Sequence, residues 1–206
     1  MMQNNTKDKP FKETNMTKKT IKKILILVII LAIIFILLKI VRLQDIILKQ
    51  IYPIKYQEYV EKYSEEYEVD KYIIYAIIKA ESNFDTNVQS QKGAKGLMQL
   101  MEDTAEEIAN TVQVEILSEE DLFDAEKNVN LGIAYYAYLL EYYNRSTTLA
   151  LTAYNAGMGN TDSWISEGII KEDGENIENI PYTETNNYVR KILNNYQMYL
   201  KLYSYE

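Results

Sequence analysis

Apolar residues follow two patterns along this chain. Near the N-terminus they are continuous: Ile24 to Leu38 contains no polar residue, with Lys18, Lys19, Lys22 and Lys23 before it and Lys39 and Arg42 after it. From residue 70 onward they recur at three- and four-residue spacing, the period of one helix face. Asp70 stands as an N-cap before Ile73, Ile74, Ile77 and Ala80. Asp103-Thr104 followed by Glu106 and Glu107 reads as a capping box that starts a short helix through Ile108. Between about Ala125 and Tyr143, Val129, Ile133, Tyr136 and Leu140 form one stripe. Ser146 or Thr147 caps a helix over 149–156 that stops at Gly157. A last helix, 184–202, sets Tyr188, Ile192, Tyr196, Tyr199 and Leu200 on one side. No segment alternates in the manner of a strand, so the pattern predicts an all-α fold.

The continuous run has a different destination. At helical rise, Ile24–Leu38 spans about 22 Å against a hydrocarbon core of about 30 Å. Extended to Ile21 and Val41, with Lys22, Lys23 and Lys39 snorkelling outward, it spans about 31 Å. No small-residue cleavage site follows, because residues 39–43 are bulky and charged. The reading is a single uncleaved transmembrane anchor over 21–41. The Lys-rich tail 1–20 then stays cytoplasmic, and the rest of the chain faces the exterior. Residues 42–69 read as a juxtamembrane helical connector, broken at Pro53 before Tyr56–Val60. Residues 70–203 form one domain large enough to bury a core.

Charge sharpens this division. Residues 1–43 hold nine of the 22 Lys+Arg and two of the 30 Asp+Glu, which leaves 13 against 28 beyond them, a balance of −15. Such an acidic exterior argues against nucleic acid as a partner. The chain has no His and no Cys, which removes imidazole proton shuttles, thiolate nucleophiles and the common zinc sites. No cofactor or metal is expected; the acidic runs Glu106-Glu107, Glu119-Glu120-Asp121 and Glu172-Asp173 read as solvated faces or loops. Trp164 and Phe84 read as core.

What remains is carboxylic-acid chemistry, and Glu81 is placed for it. It ends an amphipathic helical stretch, is followed by Ser82-Asn83-Phe84, and precedes Gly96-Leu97-Met98-Gln99. Five of the seven glycines, Gly93, Gly96, Gly157, Gly159 and Gly168, fall at expected loops or helix ends, where backbone can approach a ligand.

Four segments carry a resemblance to a known family. Glu81-Ser82, the stretch from Ser90 through Gly93-Ala94 and Gly96-Leu97-Met98-Gln99-Leu100, Ala153-Tyr154-Asn155-Ala156-Gly157, and Ile180-Pro181-Tyr182 with Glu184-Thr185 and Tyr188-Val189 resemble the successive motifs of lytic transglycosylases. These are bacterial peptidoglycan-cleaving enzymes with a goose-lysozyme-like catalytic domain. The resemblance covers roughly residues 70 to 200. It departs at Glu102 and Ala125, where Pro is common.

The resemblance implies a lysozyme-like helical catalytic domain behind the anchor. Glu81 would protonate the glycosidic oxygen between N-acetylmuramic acid and N-acetylglucosamine. As carboxylate it would then take the proton of the muramyl C6 hydroxyl, closing a 1,6-anhydro ring. That needs a raised Glu81 pKa, for which burial and the negative end of its helix dipole are the expected causes. Ser90, Met98, Gln99, Tyr154, Asn155, Glu184 and Tyr188 are implied as substrate contacts, with Glu184 at a helix start that favours its carboxylate form. Two other classes stay open: a lysozyme-type hydrolase, for which no water-activating second carboxylate is evident, and a non-catalytic wall-binding scaffold. Expected partners are peptidoglycan glycan strands and the membrane; a cell-wall or secretion machinery partner is left unknown.

Overall fold

The computed structural model of the chain describes residues 17–116 and 118–204. The described residues form α-helices joined by loops and short 3-10 turns, with isolated bridges Gln89–Lys95 and Lys95–Leu100 in place of strands. The first sixteen residues of the expected basic tail lie outside the described residues.

Helix α1, Lys18–Ile51, is 34 residues long. Its large apolar side chains are exposed around the whole circumference from Ile21 to Ile47, and Leu38 reaches 64% exposure. Its Thr20–Ile51 stretch is long and apolar enough to cross a membrane. The helix runs unbroken through residue 41, where the anchor was expected to give way to a connector, and ends just before Pro53, whose ring and missing N–H stop helices.

The chain divides at Ile47/Leu48 into two compact units, and the second is the helical body. Helix α2, Gln57–Glu66, buries Val60 and Tyr63 against α3, Lys71–Glu81, and against α5, Ala125–Tyr142. The body therefore takes in residues upstream of Asp70, where its start was expected, because the Tyr- and Val-bearing face of α2 has a core to cover.

Helix α3 is surrounded. Ile73 through Ile78 are all buried, and Asp70 caps the helix by accepting a 2.8 Å bond from the Tyr72 amide. Its most extensive partner is α8, Thr183–Tyr203, which runs from one end of the core to the other. Helix α6, Thr147–Ala156, is capped by Ser146 and stops at Gly157, whose φ of +84° suits glycine. Helix α7, Met158–Ser166, has no counterpart in the sequence reading. It is nine residues long without a side-chain cap, so little in its sequence announces it, and Gly159 is helical where a loop was expected.

Helix α4 begins at Glu102 with Met101 as an uncapped N-cap, and runs to Val112. The expected Asp103-Thr104 capping box is thus not its start. Glu102 and Ala125 are the first residues of α4 and α5, the position where Pro is well tolerated. Both helices form without it, and α5 has an Asp124 cap that accepts from the Lys127 amide. Phe84 and Trp164 are buried, as expected.

Candidate active site

Glu81 is the last residue of α3. Ser82 caps the helix end: its Oγ donates to the Ile78 carbonyl at 3.2 Å and accepts from the Phe84 amide at 3.1 Å. Asn83 and Phe84 then follow with φ of +49° and +66°. A buried phenylalanine in the left-handed region is strained, and such strain persists where the surroundings enforce it. The chain thus turns sharply away directly behind the acid.

Two residues of α8 reach this end of α3. The Tyr188 hydroxyl donates to Glu81 Oε1 at 2.5 Å, and one turn later the Lys191 ammonium donates to the Ala80 carbonyl at 2.8 Å. Burial pushes the Glu81 carboxyl up to about 7, with the Tyr188 hydrogen bond and the Lys191 charge pulling the other way. Desolvation is the leading cause, and Lys191 sits on the helix-end carbonyl where the dipole argument alone expected uncompensated negative potential. The carboxyl therefore retains its proton to much higher pH than an ordinary glutamate.

Tyr154 of α6 completes this cluster. Its hydroxyl donates to the Met98 carbonyl at 2.8 Å, and its acidity is suppressed first by burial and then by the Glu81 charge. Tyr135 packs against its ring at 5.3 Å. Tyr188 is held neutral in the same way, so both phenols are proton donors to their partners and not rival acids.

The other expected contacts have structural employment here. The Ser90 Oγ accepts from the Ala94 amide and closes the turn at Gly93. Gln99, with φ of +50°, donates its amide to the Val88 and Gly96 carbonyls at 2.9 Å each. Asn155 Oδ1 accepts from the Thr185 hydroxyl at 2.8 Å, tying α6 to the start of α8. Met98 differs from its expected role: its side chain is fully buried against Gly132, and only its carbonyl, holding Tyr154, touches the site. The reason is volume, since Gly132 leaves a notch in α5 that the flexible thioether fills. Glu184 is exposed in the first turn of α8, one turn before Tyr188 on the same helix face.

Three contributors escaped the sequence reading. Asn128 is fully buried in α5; its Oδ1 accepts from the Met98 amide at 2.8 Å, and its Nδ2 donates to the Lys95 and Leu122 carbonyls at 3.0 and 2.8 Å. It pins the 95–98 loop to the helix. Gly96 lies so close that a Cβ there would overlap the Leu122 carbonyl and the Asn128 amide, and its φ is +77°. Gly132 and Lys191 are the others. A polar residue inside an apolar helix stripe was the available signal for Asn128, and the three-residue step from Tyr188 was the one for Lys191.

Comparison with known proteins bears on the family and the fold. A family model described as the transglycosylase SLT domain matches residues 58–177. The chain is similar to the soluble lytic murein transglycosylase of Escherichia coli K12, 30% identical over 148 residues, covering 71% of this chain and 23% of that protein. It is also similar to the membrane-bound lytic murein transglycosylase C of Edwardsiella ictaluri, 39% identical over 114 residues, with 51% of this chain and 32% of that protein covered. Among solved structures, an inactive glutamate-to-glutamine variant of lytic transglycosylase Slt from Pseudomonas aeruginosa aligns with a TM-score of 0.68 at 30% identity, over 73% of this chain and 24% of that one. The 70-kDa soluble lytic transglycosylase of Escherichia coli aligns with a TM-score of 0.69 at 28% identity, over 75% and 25%. The chain spans less than a quarter of the length of the first of these curated relatives.

Proposed function

We propose, for a chain that belongs to the transglycosylase SLT domain family, that it is a membrane-anchored lytic transglycosylase acting on peptidoglycan through Glu81. The observation that carries this reading is a half-buried carboxyl held by a neutral tyrosine at 2.5 Å, which desolvation pushes up to about 7. In the protonated form Glu81 donates its proton to the glycosidic oxygen between N-acetylmuramic acid and N-acetylglucosamine as the C1–O bond breaks. The carboxylate so formed removes the proton of the muramyl C6 hydroxyl, whose oxygen closes on C1. A 1,6-anhydro ring results, and Glu81 returns to its protonated state without water entering the balance.

One carboxyl serves both steps, where most glycosidases divide the work between two. The internal hydroxyl supplies the nucleophile at high effective concentration, so no second carboxylate is required to activate water. No carboxylate is among the groups acting on the Glu81 carboxyl in the described residues. Tyr188 orients the acid and, by favouring the carboxylate, eases the first transfer. Tyr154, Glu184 and the loop of Ser90 and Gln99 border the cleft that receives the sugar rings.

The apolar circumference of α1 supports a single span, and the greater number of lysines on its N-terminal side supports an N-terminus in the cytoplasm with the helical body on the wall side, tethering cleavage to wall near the bilayer. The test is product analysis by mass spectrometry after digestion of peptidoglycan by the full chain in detergent. Glu81-dependent 1,6-anhydro ends support the reading. Reducing muramic ends that depend on Glu81 would replace it with a hydrolase, and products indifferent to Glu81→Gln would remove Glu81 from the chemistry.

A further inference from the structure

The last residue of α1, Ile51, and the irregular residues 52–56 form a strap fastened to the helical body, in the same compact unit as α3 and α8. Carbonyls that no helix satisfies need other donors, and three in succession here are taken by side chains of the body. The Lys79 ammonium of α3 donates to the Ile51 carbonyl at 2.5 Å. From α8, the Tyr203 hydroxyl donates to the Tyr52 carbonyl at 2.7 Å and the Tyr199 hydroxyl to the Pro53 carbonyl at 3.2 Å. Ring contacts follow the same path: Tyr52 meets Tyr199 edge-on at 5.6 Å and lies 4.8 Å from the Lys79 ammonium. The strap is thus tied to the two helices that carry Glu81 and Tyr188.

It also reaches the turn behind the acid. Lys79 donates to Asn83 Oδ1 at 3.4 Å, the Tyr56 hydroxyl meets the Phe84 carbonyl at 3.5 Å, and the Lys55 ammonium stands 6.0 Å from the centre of the Phe84 ring. Singly these contacts are weak, but they converge on one turn. Asn83 suits the left-handed position that ends a helix; Phe84 repeats that conformation with a side chain that gives it no help. Ser82 Oγ and the Tyr75 ring also contact Phe84.

Lys79 is the joint of this arrangement. Burial and the Lys191 charge act on its ammonium, both lowering its pKa, and no carboxylate is among the groups acting on it in the described residues. A part-buried ammonium spent on two neutral oxygens serves geometry and not an ion pair. Its charge is not among those acting on the Glu81 carboxyl.

We propose that residues 51–56 are a positioning strap for the acid, with Lys79 as its positioning residue: tied to α3, to α8 and to the Asn83–Phe84 turn, the strap sets the register in which Glu81 meets Tyr188. That bond joins α3 to α8, so a slip of either helix end lengthens it, and about 1 Å of misplacement is enough to cost a large factor in rate. The segment between the apolar helix and the body is then part of the catalytic framework and not a passive tether. The importance of Glu81 as the acid rests on the proposed function; the hold of the strap on the Glu81–Tyr188 bond does not.

The experiment follows Glu81 ionisation by ¹³C NMR in the full chain in detergent, in Lys79→Met, Tyr188→Phe and the double variant. The Tyr188 bond favours the carboxylate, so loosening it raises the midpoint. Expected is a rise in Lys79→Met toward the midpoint of Tyr188→Phe, and no further rise when Lys79→Met is added to Tyr188→Phe. An equal rise in both backgrounds would make Lys79 a charge acting on Glu81 through space, and no rise in either would leave the bond independent of the strap; each result overturns the proposal. In peptidoglycan digestion Lys79→Met is expected to lose roughly fivefold in kcat with KM unchanged. If Lys79→Met does not fold, Tyr56→Phe, which removes a hydroxyl and no charge, decides in its place by the same rise or its absence. Glu81-dependent anhydro products with an unmoved midpoint would sink only the strap. A midpoint that moves as expected without such products would sink only the proposed chemistry.

Discussion

Helix α3 is bordered by two carboxyls in opposite states. Glu61, beside its N-terminal end, is paired with the Lys71 ammonium and held below the ordinary carboxylate range. Glu81, at its C-terminal end, is half-buried, bonded to a neutral tyrosine, and pushed up to about 7. The acid type is the same and the helix is shared. What separates them is whether the partner brings a full charge and how far the group is desolvated: an exposed ammonium makes a salt bridge with a carboxylate, a phenol beside a largely desolvated carboxyl leaves it a proton donor.

Removing the acid is the largest break of that contrast. Glu81→Gln keeps the shape and the Tyr188 contact, and is expected to lower anhydro-product formation by about 10²–10⁴-fold, measured as initial rate. The same change stabilises the fold at high pH, and the sign follows from linkage. A folded pKa of about 7 above the ordinary 4.5 means that the folded state binds more protons between those values. Wild-type stability therefore falls as pH rises through that window and levels off above it. Urea unfolding of Glu81→Gln should show a gain on the order of 2–3 kcal/mol at pH 8, reduced by whatever water reaches the group, and no gain below pH 4.

Asn128→Ala tests the support behind the acid. It strands the Met98 amide and takes the side-chain donor from the Leu122 and Lys95 carbonyls, the latter keeping the Leu100 amide, so a loss of roughly 2–4 kcal/mol in urea unfolding is expected. Activity should drop as well, since the Tyr154 anchor on Met98 moves with the loop. Tyr188→Phe is milder. It removes the bond that favours the carboxylate, so the alkaline limb of the pH–rate profile should move to higher pH while the maximum rate falls about tenfold. Smallest is Lys71→Met at the other end of the helix, where the pair is 40% exposed on each side. It should cost no more than about 1 kcal/mol and leave the pH–rate profile in place.

The helices were legible where periodicity and caps coincide. Asp70 and Ser146 cap as read, and the stripe Val129–Leu140 faces the core. Helix α2 was taken for a connector because its apolar positions are few and its tyrosines ambiguous; only the presence of α3 and α5 beside it turns Val60 and Tyr63 inward. Helix α7 and the true start of α4 lack side-chain caps and left no mark. In the site, the motif residues Glu81, Tyr154 and Tyr188 converge, whereas Met98 was misplaced because a long apolar side chain fits a sugar face and a core notch equally well, and the notch is made by Gly132, 34 residues away. Lys191 and Asn128 act through folded proximity that a linear reading does not contain.

The central claim is that Glu81 is a proton donor near neutral pH, and its ionisation can be followed directly. In the full chain labelled with ¹³C at glutamate Cδ, the resonance lost in Glu81→Gln identifies the group, and its chemical shift is recorded from pH 3 to 9. A midpoint near 7 is the expected result. A midpoint near 4.5, with Glu81 titrating among the surface glutamates, would contradict it.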